Sequence, residues 1–451
     1  MSFRDSVSAA VVRNLSLCVA LSSFSCCFIL WGFGYTYTLL FVPIQDEFDS
    51  TTTATGWVGS AYYGIGSTMA IMIGPLAKRF KYSTIFLAGF LLAGISLMVS
   101  SFVQSIHAFF VTYGVFYALG TCIGYYITMD LLKMHYANLF NFLFIGFLVQ
   151  SPIVGKLLIL VGWRGVLRIY AAITIIVGLT CRFIMQKPAS FHDDTEEKNN
   201  SSLEIKDKFL KHEDRLEKKD TEQGRQNINF WKIMAFPESW YFVIGMIITS
   251  TATMFSYINI VDFMKHIGIS TYVSSWILAV AAGSELAGKF FFGMTGDRMR
   301  FPKMYTLAPA NVLFAGMMVI LIYARTSLHM ILIIICIGVL KSIFHAMPWT
   351  ATLELLGIGH NTEATILTCL GFGIGSLAGA LVGGLSYDYT GSYDIGLLVS
   401  CGMYIVGAIF FQAAPLHQKM FAPERYLIDR RVATISEKHY EYIVDSYITT
   451  V

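Results

Sequence analysis

Apolar stretches separated by short polar breaks recur along the whole chain, at roughly 16–45, 54–77, 83–102, 108–131, 138–161 and 165–186, then at 237–264, 271–295, 304–323, 330–357, 364–386 and 394–415. Each approaches or exceeds the ~20 residues that an α-helix needs to cross ~30 Å of hydrocarbon. Inside a bilayer a helix satisfies its own backbone hydrogen bonds, so the pattern predicts twelve membrane-spanning helices. One long polar stretch interrupts the series after the sixth, with DDTEEKNNSS and KHEDRLEKKDTEQGRQ, a composition suited to a solvated linker. The expected organisation is an N-terminal segment (1–15), a six-helix half (16–186), a linker (187–236), a second six-helix half (237–415) and a tail (416–451). The first apolar stretch is too long for a signal-peptide core and reads as a retained span.

Composition agrees. The 451 residues are 55% hydrophobic and 14% charged, with a mean hydropathy of +0.60, which marks an all-α integral membrane protein. A net charge of +3, with Lys and Arg gathered in loops, gives no stripe that a phosphate backbone could follow, so nucleic acid is excluded as a partner. Most of the 32 Lys and Arg residues fall in the termini, the linker and the loops on that same side, which places both termini and the linker in the cytoplasm. The eight cysteines lie in apolar segments without a CxxC, and are expected as buried thiols, neither disulfides nor metal ligands. No motif for a phosphate, a metal, a nucleophile or a cofactor is present, so no enzyme is expected. The glycine-rich run GFGIGSLAGALVGG (371–384) suits close helix packing. Two six-helix halves around a midplane site are what alternating access requires, and transport is the function this organisation predicts.

Three motifs add a resemblance. GLSYDYTGSYD (384–394), GWRG (162–165) and ELAGK followed by FFFGMTGDR (285–298) stand in register over roughly residues 15–415. Together they resemble the monocarboxylate transporter family of the major facilitator superfamily. The resemblance implies the major facilitator fold, transport of small monocarboxylates such as lactate or pyruvate by proton symport, a plasma-membrane location and a single-span glycoprotein partner. This chain also departs from the family pattern. The acidic-Gly-Gly-Trp-Gly-Trp lead into the first span is replaced by LWGFGYTY (30–37), and the lysine that many proton-coupled members carry there falls at about Leu39. The basic lead into the fifth span is reduced to KMHYAN (133–138), and the arginine of the eighth span is Lys289. The sequence is that of a diverged member.

Charges inside the predicted spans carry the candidate chemistry. An ionisable side chain at mid-bilayer costs about 2.5–3.5 kcal/mol on insertion scales, so it usually faces a partner or a wet cavity. Glu285 and Lys289 lie four residues apart, on one helix face. They read either as a silent ion pair or as part of a translocation path. The resemblance favours the second, with Lys289 binding the substrate carboxylate and Glu285 exchanging a proton. Lys341 and His345 share a face of the tenth span, and would supply a second cation and a group titrating near neutral pH. The alternative has Lys341 snorkelling and His345 packing.

Other polar and aromatic residues are candidates for a cavity or gate. Tyr35, Tyr37, Tyr62, Tyr63 and Trp349 suit either an aromatic cavity or ordinary packing. Asn259, Asp262 and Lys265 fall near a rim, and Lys156 sits where snorkelling is available. Arg164 and Arg168 suit structural pairing or the drawing in of anions, while Asp130, Glu354, Asp297 and Arg298 suit gate or loop contacts. The final YITTV, with Thr449-x-Val451, resembles a ligand for PDZ domains, and Tyr440 to Ile443 resembles a tyrosine sorting signal. Two other functions compete: uncoupled facilitation of aromatic amino acids, favoured by the missing first-span lysine, and a receptor or scaffold acting through its tails, which leaves the midplane charges without a role.

Overall fold

The computed structural model describes residues 3–135, 145–184, 233–296, 299, 301–357 and 360–423. Asp297, Arg298, the linker up to residue 232 and the tail from residue 424, with its PDZ-like and tyrosine motifs, lie outside the described residues.

Helices α1 (Phe3–Gly34) and α2 (Tyr37–Phe48) form the first span, bent by about 40° at their junction. The second span is α3 (Thr52–Met69), one 3-10 turn (Ala70–Met72) and α4 (Ile73–Arg79). Helix α5 (Tyr82–Ser100) is the third, and α6 (Ile106–Phe109), a π-helical stretch (Phe110–Tyr117) and α7 (Ala118–His135) make the fourth. Helix α8 (Ile145–Cys181) holds two spans, because Gly162 breaks it with φ 68° and ψ 172°. That left-handed φ favours glycine, which has no Cβ to clash. The second half is α9 (Pro237–His266), α10 (Thr271–Gly296), α11 (Met304–Ile322), α12 (Ser327–Leu356), α13 (Asn361–Thr390) and α14 (Asp394–Phe421).

Among the described residues nine helices are long and apolar enough to cross a membrane, or ten with the bent pair. The reading of twelve differs in two places. Helix α8 counts once although it turns at Gly162, and α3 (TTATGWVGSAYYGIGSTM) is too rich in Thr, Ser, Gly and Tyr to pass on apolarity. The last helix also runs on to Phe421 rather than stopping at 415. Its polar extension is accommodated: His417 Nδ1 meets Glu238 at 3.1 Å and the Gln418 amide donates to the Leu355 carbonyl at 3.0 Å.

Helix α5 packs against α7 and α8 in the first half, and α1 also packs against α7 and α8. In the second half α9 packs on α13 and α14, α10 on α12, and α11 on α12 and α14. The halves meet along α3 with α13 and along α8 with α10. One contact is drawn twice. Tyr82 donates to Asp130 at 2.6 Å, tying the start of the third span to the end of the fourth. The Lys303 backbone N–H donates to Glu354 at 2.7 Å, with an ion pair at 3.2 Å, tying the ninth to the tenth. Equivalent ties six spans apart are the mark of a repeat.

At the end of the bundle remote from the linker the two halves are joined by polar bonds. Asp388 of α13 accepts from the Thr52 and Thr53 backbone N–H groups at 3.0 and 3.1 Å and from the Thr53 hydroxyl at 2.5 Å. Lys265 pairs with Asp46 at 3.2 Å, and the Thr38 hydroxyl donates to the Ile258 carbonyl at 3.1 Å. Arg164, just past the Gly162 break, meets Glu47 at 2.8 Å and donates to the Ser101 and Val103 carbonyls at 2.7 and 2.8 Å, while Trp163 also donates to Glu47. Arg164 thus clamps the end of α2 to the loop after α5. Charged hydrogen bonds of this kind contribute about 1.5–3 kcal/mol. Arg164→Ala is therefore expected to lower the thermal unfolding temperature of the purified protein while leaving solute affinity within about twofold; an unchanged unfolding temperature would remove the clamp.

Candidate functional site

Two short patterns bring α10 and α12 into close contact. Ser284 and Gly288 on α10 face Gly338 and Ser342 on α12, and a Cβ added at Gly338 or Gly288 would lie 1.9 Å from the Ser284 hydroxyl or 2.3 Å from the Ser342 hydroxyl. Small residues four apart on both helices let the backbones approach, as in packed membrane bundles. Glu285 thereby comes within reach of α12.

The charged residues of the two helices meet at that carboxylate. Lys289 Nζ lies 2.7 Å from Glu285 Oε1, one turn along the same helix. His345 Nδ1 approaches the same oxygen at 2.8 Å, and Lys341 Nζ lies 3.5 Å from Oε2. Against an ionised carboxylate the His345 contact requires the proton on Nδ1. Glu285 and Lys289 are each 4% exposed and Lys341 is 8% exposed. The structure thus brings Glu285, Lys289, Lys341 and His345 into one cluster.

Aromatic rings cover Lys341. Its ammonium sits 4.2 Å from the ring centre of Tyr257 and 4.7 Å from that of Tyr35, within the range of cation–π attraction. The Tyr257 hydroxyl donates to the Tyr35 carbonyl, which joins the halves again, and Tyr63 completes a set of three edge-on rings. A cavity of about 70 Å³ opens beside the cluster, with Glu285, Lys341, Tyr35, Tyr257 and Ser256 on its wall. At roughly 10–15 Å³ for each water centre, it holds a few waters or a small solute.

The other sequence candidates lie elsewhere. Trp349 is 41% exposed and donates to the Thr365 hydroxyl at 2.9 Å, away from the cavity wall. Asp262 accepts from Tyr393 at 2.5 Å near the end remote from the linker, and burial together with that carboxylate pushes the Tyr393 phenol well above its usual range. Asn259 is buried, and its amide donates to the Phe255 carbonyl of its own helix at 3.1 Å. Tyr37 donates to the Thr55 carbonyl at 2.6 Å and Tyr63 to that of Gly34 at 3.1 Å. Leu39, where the family's first-span lysine falls, is fully buried in the core. Lys156 is exposed on the bundle surface, and Arg168 donates to the Ser101 hydroxyl at 3.1 Å. The sequence did not single out Tyr257, one of 24 tyrosines. The small-residue pairs at Ser284 and Gly288 and at Gly338 and Ser342 were a legible hint that α10 and α12 meet, though such spacing is common in membrane helices.

The model of the Major Facilitator Superfamily matches residues 22–365, about three quarters of the chain. The chain belongs to that superfamily. It is a multi-pass membrane transporter with monocarboxylate transporters among its relatives. It is similar to monocarboxylate transporter 13 of Rattus norvegicus, at 20% identity over 86% of either chain. It is also similar to monocarboxylate transporter 10 of Mus musculus, at 23% identity over 89% of this chain and 79% of that one. Monocarboxylate transporter 14 of Homo sapiens matches at 22% over 88% and 90%. At such identities the chain is a distant relative of these monocarboxylate transporters. The solved structure of the nucleoside transporter NupG superposes with a TM-score of 0.64 over 89% of this chain and 99% of that one, at 16% identity, a likeness of fold alone.

Proposed function

We propose that the protein carries small monocarboxylates of the lactate or pyruvate kind across the membrane by proton symport, through alternating access. The observation that supports this most is the sharing of one buried carboxylate, Glu285, between two buried ammonium groups, Lys289 and Lys341. Counted with His345 neutral, the four side chains sum to +1. A buried site with surplus positive charge favours an anion over a neutral or cationic solute.

The same count gives the coupling. When a proton joins Glu285, the carboxylate releases its lysines, and an arriving substrate carboxylate takes its place. The loaded cluster then holds two ammonium groups, one anion and a neutral acid, again +1. Empty and loaded forms present the same charge, so either can reorient at a similar electrostatic cost. His345, whose Nδ1 contacts Glu285, is the residue that passes the proton in this reading.

With the linker and both termini in the cytoplasm and the protein in the plasma membrane, the polar bonds at the remote end join the halves on the outward side. A single-span glycoprotein partner follows from the family resemblance, and a PDZ-domain partner from the tail sequence. A second reading, uncoupled facilitation of aromatic amino acids, draws support from the Tyr35 and Tyr257 rings and from apolar Leu39. Uptake of labelled lactate, pyruvate and phenylalanine into proteoliposomes, with and without an acidic exterior, separates the two. Proton-stimulated lactate or pyruvate uptake is expected; phenylalanine uptake indifferent to the gradient, with no carboxylate uptake, would put the facilitator in its place.

A further inference from the structure

The cavity beside the charge cluster does not end there. It is also lined by Leu278 of α10, Ile334 and Ile337 of α12, Leu321 of α11 and the ring of Phe314. Leu278 precedes Glu285 by seven residues and Ile334 precedes Lys341 by seven, so the wall runs about 10 Å along the helices, away from the linker. Ala281, Ala282 and Gly338, all one turn from the charges or less, leave the space open. On the other wall Phe314 stacks on Tyr404 with ring centres 4.9 Å apart, and the Tyr404 hydroxyl lies 3.1 Å from that of Thr253. The cavity therefore has a charged end and an apolar extension lined by the second half, between α9, α10, α11, α12 and α14.

A solute of one carboxylate and two or three carbons uses only the charged end. We infer that the apolar extension is a side-chain subsite, and that the preferred substrates are monocarboxylates bearing a branched or aromatic apolar group. The carboxylate sits at Lys341 and the apolar group lies among Leu278, Ile334 and Ile337. This rests on the carboxylate reading above and adds the tail to it. Ile337, one turn from Lys341 on the same helix, sets the size limit.

The experiment measures KM in proteoliposomes for acetate and 4-methylpentanoate, which differ in tail and share the carboxylate. Each added methylene taken out of water is worth about a factor of four in binding. The wild-type protein is expected to favour 4-methylpentanoate in KM by about tenfold or more. Ile337→Trp, which fills the subsite, is expected to cut that ratio about tenfold. Ile337→Ala, which cannot overpack, is expected to shift preference toward the bulkier 3-phenylpropanoate by about threefold or more, and keeps the test decisive where the Trp variant does not fold. Equal KM for acetate and 4-methylpentanoate, or ratios indifferent to Ile337→Ala, overturn the subsite while leaving the carboxylate reading standing. If neither carboxylate is taken up by the wild-type protein, the carboxylate reading itself fails and the subsite with it.

Discussion

Glu285→Gln is expected to stop net uptake while leaving the anion bound. The substitution removes the acid shared by Lys289 and Lys341, so the four side chains change from a sum of +1 to +2. An arriving carboxylate then finds two ammonium groups with no internal competitor and no proton to travel with it. Affinity rises or holds, and net uptake falls by about 100-fold or more. The empty protein suffers as well, because breaking a buried ion pair from one side costs about 3–5 kcal/mol. Its thermal unfolding temperature should fall, and saturating carboxylate should restore part of the loss by mass action. Uptake within twofold of the wild-type rate at every pH would make the Glu285 and Lys289 pair a structural one.

Lys341→Gln is expected to act in the opposite sense. Glu285 keeps Lys289 at 2.7 Å, the cluster becomes neutral, and the cost of burying a second ammonium is relieved. Stability should hold or rise. A carboxylate loses one charged hydrogen bond, about 1.5–3 kcal/mol, so KM should rise roughly 10- to 100-fold. The contrast is informative because a merely structural lysine, held between Glu285 and the rings of Tyr35 and Tyr257, predicts lost stability instead. An unchanged KM with a lower unfolding temperature would take Lys341 out of the site.

Much of the architecture was legible because bilayer spans write themselves as long apolar runs. The runs gave the order of the helices. They misjudged the end of α14, since His417 and Gln418 look like a stop until Glu238 and the Leu355 carbonyl are known to receive them. They did separate the fifth and sixth spans between 161 and 165, where the chain turns at Gly162. Helical periodicity placed Glu285 beside Lys289 and Lys341 beside His345. That both pairs meet at one carboxylate depends on the approach of α10 to α12 across Gly288 and Gly338, a tertiary fact. Arg164 read first as a pairing residue and second as an attractor of anions, and the end of α2 and the loop after α5 that receive it are distant in the chain. The ring of Tyr257 over Lys341 had no local signature at all.

The Asp388 contact has a wider consequence. The first turn of α3 exposes backbone N–H groups that its own residues leave partly unanswered; Thr51 serves that of Ala54 at 3.1 Å, while Asp388, from the opposite half, serves those of Thr52 and Thr53. A helix begun in one half is thus terminated electrostatically by the other. Any motion that parts the halves at this end leaves α3 without that anion until water or another acceptor replaces it. The stability of a single helical turn in one half is in this way tied to its contact with the other, so hydrogen exchange at Thr52 and Thr53 is expected to quicken whenever the halves part at this end.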